Sequence, residues 1–388
     1  MNVATEWLRS GETASLDGID LIPLPYPHAA SLPMSVSRGQ ATAFVLVDGQ
    51  QRGWILKKFQ PGRDPEIAYV RAIRDLVPSG SGFESGSQRR VLTSQAVGRG
   101  FGTPEFTDWI DKTILMPRVG GMDWLALADS IRNGNTTVSD EARSALCRNL
   151  IRRVRTLETA GLAHRDLSIT NVFIDPITWD VHFIDWDALY HASLTLPRNT
   201  TIGTAGYIAP FVNTAAGEDA TKSWCAFADR FAMALLCAEF LVLRRESSST
   251  HDGGLFEQRD LYAGHGPTTR NVRTDLVLQY PAVARLVDRA LDAASFAECP
   301  SPDEWLATPP LAAAVAAPAN PDPQRVIARF ESYMAKVKQP PKALPPAPPA
   351  PPLSDIDFAA IVRNLLTSGS VHASGDGKTE SEEDGPDV

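Results

Sequence analysis

Three short fragments between residues 164 and 210 constrain the fold more than any other part of this chain. They are His164-Arg165-Asp166-Leu167-Ser168-Ile169-Thr170-Asn171, Ile184-Asp185-Trp186-Asp187 and Gly203-Thr204-Ala205-Gly206-Tyr207-Ile208-Ala209-Pro210. Asp166 and Asn171, five residues apart on one loop, can together orient a hydroxyl nucleophile and ligate a metal. Asp185 closes the strand-like run Val181-His182-Phe183-Ile184, fourteen residues after Asn171, and can supply a second metal carboxylate. A fold that uses these residues must bring a loop, a strand end and a later segment to one place.

The surrounding pattern changes character along the chain. Residues 1–20 read as a loosely held leader. From about 34 to 119 the pattern is mostly strand-like, with Ala43–Val47 and Trp54–Phe59 flanking a turn-rich connection. Residues 65–77 read as a helix, with Pro65 at its start and Ile67, Val70, Ile73 and Val77 on one face. Two more strands are expected near 90–97 and 113–119, separated by a Gly-rich loop. Beyond 120 the chain turns helical, over 123–132, 139–160 and 224–243. An accessory helix follows at 322–338, then a Pro-rich extended linker over 339–354. A short amphipathic helix at 355–367 carries Phe358, Ile361, Val362, Leu365 and Leu366, and 368–388 is an acidic tail expected to be disordered.

Charge and cysteine usage exclude several classes. A net charge of −9 argues against a general nucleic-acid surface. The most apolar stretch, Phe231 to Leu243, is 13 residues with Glu239 inside it, too short for a bilayer. Cys147, Cys225, Cys237 and Cys299 show no metal-ligand spacing, and the N-terminus lacks a signal-peptide core. Reduced thiols in a cytoplasmic protein are the expectation. The basic residues are 29 arginines and 8 lysines, which points to a GC-rich bacterial genome.

The three fragments resemble the catalytic loop, metal-binding turn and substrate-docking segment of protein kinases, most closely bacterial Ser/Thr kinases of the eukaryotic-like type. The resemblance covers about 35–310 and implies an α+β, bilobal fold. A small β-rich lobe with one helix would span 21–117 and a larger α-helical lobe 118–315. It also implies ATP and Mg²⁺, with Asp166 as catalytic base and Asn171 and Asp185 as metal ligands. Lys57, in Ile55-Leu56-Lys57-Lys58-Phe59, resembles the strand lysine that pairs with the α- and β-phosphates. Lys58 remains a rival, because adjacent strand residues face opposite ways. Glu66 resembles the helix glutamate that pairs with that lysine. Gly39 and Ala41, within Ser37–Phe44, stand where a phosphate-covering loop would lie. Met116 and Val119 would contact adenine, with the donor at Val119 because Pro117 lacks an N–H.

Other positions follow from the same resemblance. Arg165 would receive a phosphate carried by Thr200 or Thr201 on the activation segment, in which Thr204 also lies. Asp229 resembles the helix aspartate that braces the catalytic loop. Three positions depart from the family pattern. Asp187 replaces a glycine, Ser168 replaces a lysine that steadies the transferred phosphoryl group, and Phe211 replaces a glutamate that normally pairs with an arginine. Cys299 stands at the arginine's place, so the last two changes compensate each other.

The activity implied is transfer of a γ-phosphoryl group to Ser or Thr of a protein substrate. The implied partners include a PP2C-type phosphatase or a phosphopeptide-binding module, with docking through the Pro-rich tail and the 355–367 helix. Two alternatives remain: a pseudokinase scaffold that binds ATP, and a kinase of a small molecule such as an antibiotic or sugar.

Overall fold

The protein is described by a computed structural model over residues 3–312, except 27–28, 39, 99–102, 198–200, 215–216, 246 and 265. Its first part is built on a hairpin, β6 (Ala41–Asp48) and β7 (Gly53–Phe59), whose register pairs Ala43 with Lys57 and Val47 with Gly53. Asp48 closes the turn. Its Oδ1 accepts the backbone N–H of Gln50 and Arg52 at 2.9 Å each, and its Oδ2 accepts Trp54 Nε1–H at 3.0 Å. Burial alone would raise the pKa of Asp48, but these donors outweigh it and hold the carboxyl below its ordinary value.

Around this hairpin lies a seven-stranded antiparallel sheet, ordered β1-β2-β6-β7-β9-β8. Its members are β1 (Ala14–Leu16), β2 (Ile19–Pro23), β8 (Arg90–Val91) and β9 (Ile114–Pro117). β5 (Ser35–Arg38) shares an edge of β6 with β2, pairing its first half while β2 pairs its second. That division curls the sheet. A separate ribbon, β3 (Pro25–Tyr26) and β4 (Ala29–Pro33), lies beside it.

Two expectations are corrected in this part. Residues 3–23 are not a loose leader. Helix α1 (Val3–Ser10) buries Trp7 completely, edge-on to Phe106 with centroids 5.3 Å apart, and Leu16 and Leu21 join the same core. Helices in this part also number more than one. α2 (Ile67–Leu76) is joined by the short α3 (Glu84–Ser87) and by α4 (Pro104–Ile110), which lies within the supposed Gly-rich loop. Thr103 starts α4 by accepting the Phe106 N–H, a signal obscured by the glycines just before it.

The second part is helical. Asp123 caps α5 (Trp124–Arg132) and Ser139 caps α6 (Asp140–Thr159), each accepting an amide three residues on. α7 (Asp229–Val242) is buried on nearly every side, which explains the absence of an amphipathic period in its sequence. It begins at Asp229, five residues later than expected from 224. Around it pack α6, α9 (Pro267–Gln279) and α10 (Pro281–Leu291); α8 (Gln258–Tyr262) and α11 (Pro302–Leu306) complete the set. Arg143 of α6 donates to the Phe240 carbonyl of α7 at 2.7 Å.

A small antiparallel sheet joins the two parts: β10 (Met122–Asp123), β11 (Val172–Ile174) and β12 (Val181–Phe183). Gly121, at φ 85°, is required where the chain enters β10, since a Cβ there would collide with the Ile174 carbonyl. Among the described residues, no helix is long and apolar enough to cross a membrane. The expected segments 322–338, 339–354, 355–367 and 368–388 lie outside the described residues.

Candidate active site

The loop between α6 and β11 is held from beneath by α7. Asp229, in the first turn of that helix, accepts the backbone N–H of His164 at 2.6 Å and of Arg165 at 2.7 Å. Arg165 sits at φ 68°, so the chain bends sharply there. Burial lowers the His164 imidazole to about 4, so it is neutral at pH 7. Its Nε2 lies 2.8 Å from the Ile184 carbonyl, which can only accept, so the proton is on Nε2. Nδ1 is then free to accept the Asp166 N–H at 3.3 Å.

Asp166 and Asn171 meet as their spacing suggests. Asn171 Nδ2 donates to the Asp166 carbonyl at 2.8 Å and to its carboxylate at 3.1 Å. Thr204 Oγ1 donates to the other carboxylate oxygen at 2.7 Å, across 38 residues. Burial pushes the Asp166 carboxyl up to about 7, reinforced by the charge of Asp185 and opposed by Thr204, Asn171 and Lys57. A carboxyl poised near neutrality can take up and release a proton at working pH.

Asp185 is brought to this loop by the backbone, since the Ile184 N–H donates to the Asn171 carbonyl at 3.0 Å. It adopts φ 64°, ψ 59° at the end of β12 and opens a 3₁₀ turn, Trp186–Ala188. The indole of Trp186 is buried 4.8 Å from the His164 ring, and its Nε1–H donates to Ser85 Oγ at 3.0 Å. Gly86 leaves the room that this indole fills.

Lys57 crosses from the sheet to this turn. Its Nζ donates to Asp185 Oδ1 and Asp187 Oδ2, at 2.6 Å each. Lys58 points to the other face, over the Trp109 ring and toward the Asp111 carbonyl, so strand alternation leaves Lys57 as the one of the two that reaches Asp185. Asp187 is also bonded by Arg89 Nη2 at 2.6 Å. Burial works against its charge, but Lys57 and Arg89 outweigh it and hold the carboxyl far below the ordinary range. Burial likewise disfavours the Lys57 ammonium, yet the two aspartates hold it charged well above its usual range.

Several assignments require correction. Glu66 does not pair with Lys57: it is the exposed residue before the first turn of α2, and Asp187 takes its place. The helix is tied to the turn through Tyr69, whose hydroxyl donates to the Leu189 carbonyl at 2.6 Å. Arg165 is not poised for a phosphate. Its guanidinium is buried and donates to the Ser223 and Ala188 carbonyls and to Ser223 Oγ, at 2.8–2.9 Å. Thr201 Oγ1 is turned back onto Gly203, donating to its carbonyl at 2.9 Å. Thr200 and Gly39 lie outside the described residues.

The apolar assignments divide. Ala41 and Met116 share one buried cluster with Phe59, Val70 and Ile114, whereas Val119 is buried apart from it. Phe211 packs edge-on against Phe296 with centroids 4.7 Å apart, and Cys299 is buried, its carbonyl accepting Arg230 Nη1–H at 3.3 Å. Ser168 is fully buried and shares a 3.3 Å hydrogen bond with Thr170. Residues missed by sequence reasoning include Arg89 and Glu239. Glu239 accepts Tyr207 O–H and Trp124 Nε1–H at 2.8 Å each, tying the 203–210 segment to α7.

Among the described residues no cluster of three or more His, Cys, Asp or Glu side chains could hold a metal. Asn171 and Asp185 fit a hard cation in donor type, each offering a side-chain oxygen. No family model matches this chain, and no curated protein matches it significantly.

Proposed function

We propose that this chain is an ATP- and Mg²⁺-dependent kinase that transfers the γ-phosphoryl group to Ser or Thr hydroxyls of proteins, on a bilobal kinase-like fold. The observation that carries the reading is the bonded group Asp166–Asn171–Ile184, which sets Asp185 beside the catalytic loop and opposite Lys57 of the sheet. Asp166 receives the proton of the substrate hydroxyl as that hydroxyl's oxygen attacks the γ-phosphorus and the bond to the β,γ-bridging oxygen breaks to release ADP, after Thr204 yields the carboxylate oxygen it now occupies. Lys57 binds the α- and β-phosphate oxygens, exchanging carboxylate contacts for them. Met116 and Ala41 offer apolar contact to the base, and the Val119 amide its hydrogen bond. Asn171 and Asp185 would hold a Mg²⁺ ion, which would neutralise phosphate charge when bound.

One observation favours a second reading, an ATP-binding scaffold without transfer. Ser168 supplies no cation for the transferred group, and Lys57 is engaged by two carboxylates at once. Incubation of the purified protein with labelled ATP and Mg²⁺ separates the readings. Label on Ser or Thr, located by mass spectrometry, supports the kinase. An ATP-raised melting temperature without label supports the scaffold. Absence of both sinks the nucleotide-site reading.

A further inference from the structure

Arg89 has a second side. Only its Nη2 is used by Asp187; Nε and Nη1 have no hydrogen-bond partner among the described residues, although the side chain is just 2% exposed. Burying unpaired guanidinium donors is costly, so such donors in a native protein point to an acceptor that completes them. Arg89 lines a cleft of about 520 Å³ between α2 and β8, within the size range of ligand sites. Arg71, Arg74 and Arg90 line it too, with Gln88, and the one carboxylate among the lining residues is Asp17. Asp17 is already paired with Arg90 at 2.9 Å, and Arg74 with Asp75 at 2.9 Å. Arg71 and Arg74 are exposed at the cleft's mouth.

We propose that this cleft binds a phosphoryl group, as a phosphorylated side chain or a small phosphorylated molecule. Guanidinium donors match phosphate oxygens in bidentate geometry. Arg89, Arg90 and Arg74 each face one carboxylate, so the positive excess of the cleft comes from Arg71. The occupant is coupled to the catalytic turn through one residue. Arg89 is among the residues lining the cleft and bonds Asp187, and Asp187 holds Lys57. Phosphate bound at the cleft draws the Arg89 charge toward itself, loosens its hold on Asp187 and changes the position of Lys57.

The binding step is independent of phosphotransfer and is tested without it. Calorimetric titration of the full chain with inorganic phosphate, with O-phosphoserine and with a phosphoserine peptide, at constant ionic strength, supplies the readout. Binding to wild type should weaken at least tenfold in Arg71→Glu and in Arg74→Glu, both exposed and safe for folding, and persist in Lys57→Met. Tighter binding of the peptide identifies a phosphorylated side chain as the source; equal or tighter binding of the small probes identifies a free molecule. No phosphate binding by wild type, or binding lost in Lys57→Met but retained in both arginine variants, overturns the proposal.

Discussion

Asp187 Oδ2 accepts a hydrogen bond from Lys57 Nζ at 2.6 Å, in the role that the resemblance to kinases gave to Glu66. The lysine is therefore positioned by the turn that follows β12 and not by Glu66 of helix α2. Glu66 stands exposed at the start of that helix, and α2 bonds the turn through the Tyr69 hydroxyl and the Leu189 carbonyl.

The two acids should thus respond oppositely to truncation. Asp187→Ala leaves Lys57 and Arg89 without their shared partner. Because the Asp187 side chain is 31% exposed, the stability cost should be about 1–3 kcal/mol, below that of a fully buried pair. Nucleotide affinity and transfer should fall with it. Glu66→Ala should stay within about 0.5 kcal/mol, as an exposed substitution does. Urea unfolding and ATP titration of both variants check this, and a Glu66 effect larger than the Asp187 effect would contradict it.

The pH dependence follows from Asp166. Burial raises its folded value from the ordinary 3.8 to about 7, so the folded chain binds the proton more tightly than the unfolded chain. Its contribution to stability is present at low pH and is lost as pH rises through about 7. Activity runs the other way, because only the ionised carboxylate accepts a proton, so transfer should fall as pH drops below about 7. Stability of wild type minus Asp166→Asn, measured by urea unfolding from pH 5 to 8, should decline with pH. A flat difference would remove the assigned shift.

Thr204 tunes that carboxyl. Its 2.7 Å hydrogen bond favours the ionised form, so Thr204→Val should move the acidic limb of the pH–rate profile upward, while Thr204→Ser should leave it in place. Identical profiles for wild type and Thr204→Val would show that this bond does not act on Asp166.

Phe211 tests whether an ion pair has been replaced by apolar packing. Phe211→Glu places a charge against the rings of Phe296 and Phe231, where the neighbouring Arg230 is already paired with Glu158. It should cost about 2–4 kcal/mol, and Cys299→Arg in the same chain should recover part of that loss. Additive losses in the double variant would show that the two positions are not coupled.

Local chemistry was readable in advance where one element decides the answer. Strand alternation put Lys57 and Lys58 on opposite faces, Ser139 announced the start of α6, and the five-residue spacing of Asp166 and Asn171 predicted their contact. What could not be read was set by partners far along the chain. Asp187 is 130 residues from Lys57 and 98 from Arg89, and no periodicity records such a pairing. Trp7 was assigned to a loose leader because its burial against Phe106 depends on α4, itself concealed behind glycines. Arg165 misled for the same reason, because the carbonyls that occupy its guanidinium come from 188 and 223.

Phosphoryl transfer from labelled ATP by purified wild type, Asp166→Asn and Asp185→Asn, each first shown to be folded by circular dichroism, bears most directly on the site. Label on Ser or Thr in the wild type, reduced by about 10²–10⁴-fold in Asp166→Asn and abolished or nearly so in Asp185→Asn, is the expected result. Equal labelling by all three proteins, or none by the folded wild type with Mg²⁺ present, would contradict the assignment of this loop and turn to phosphoryl transfer.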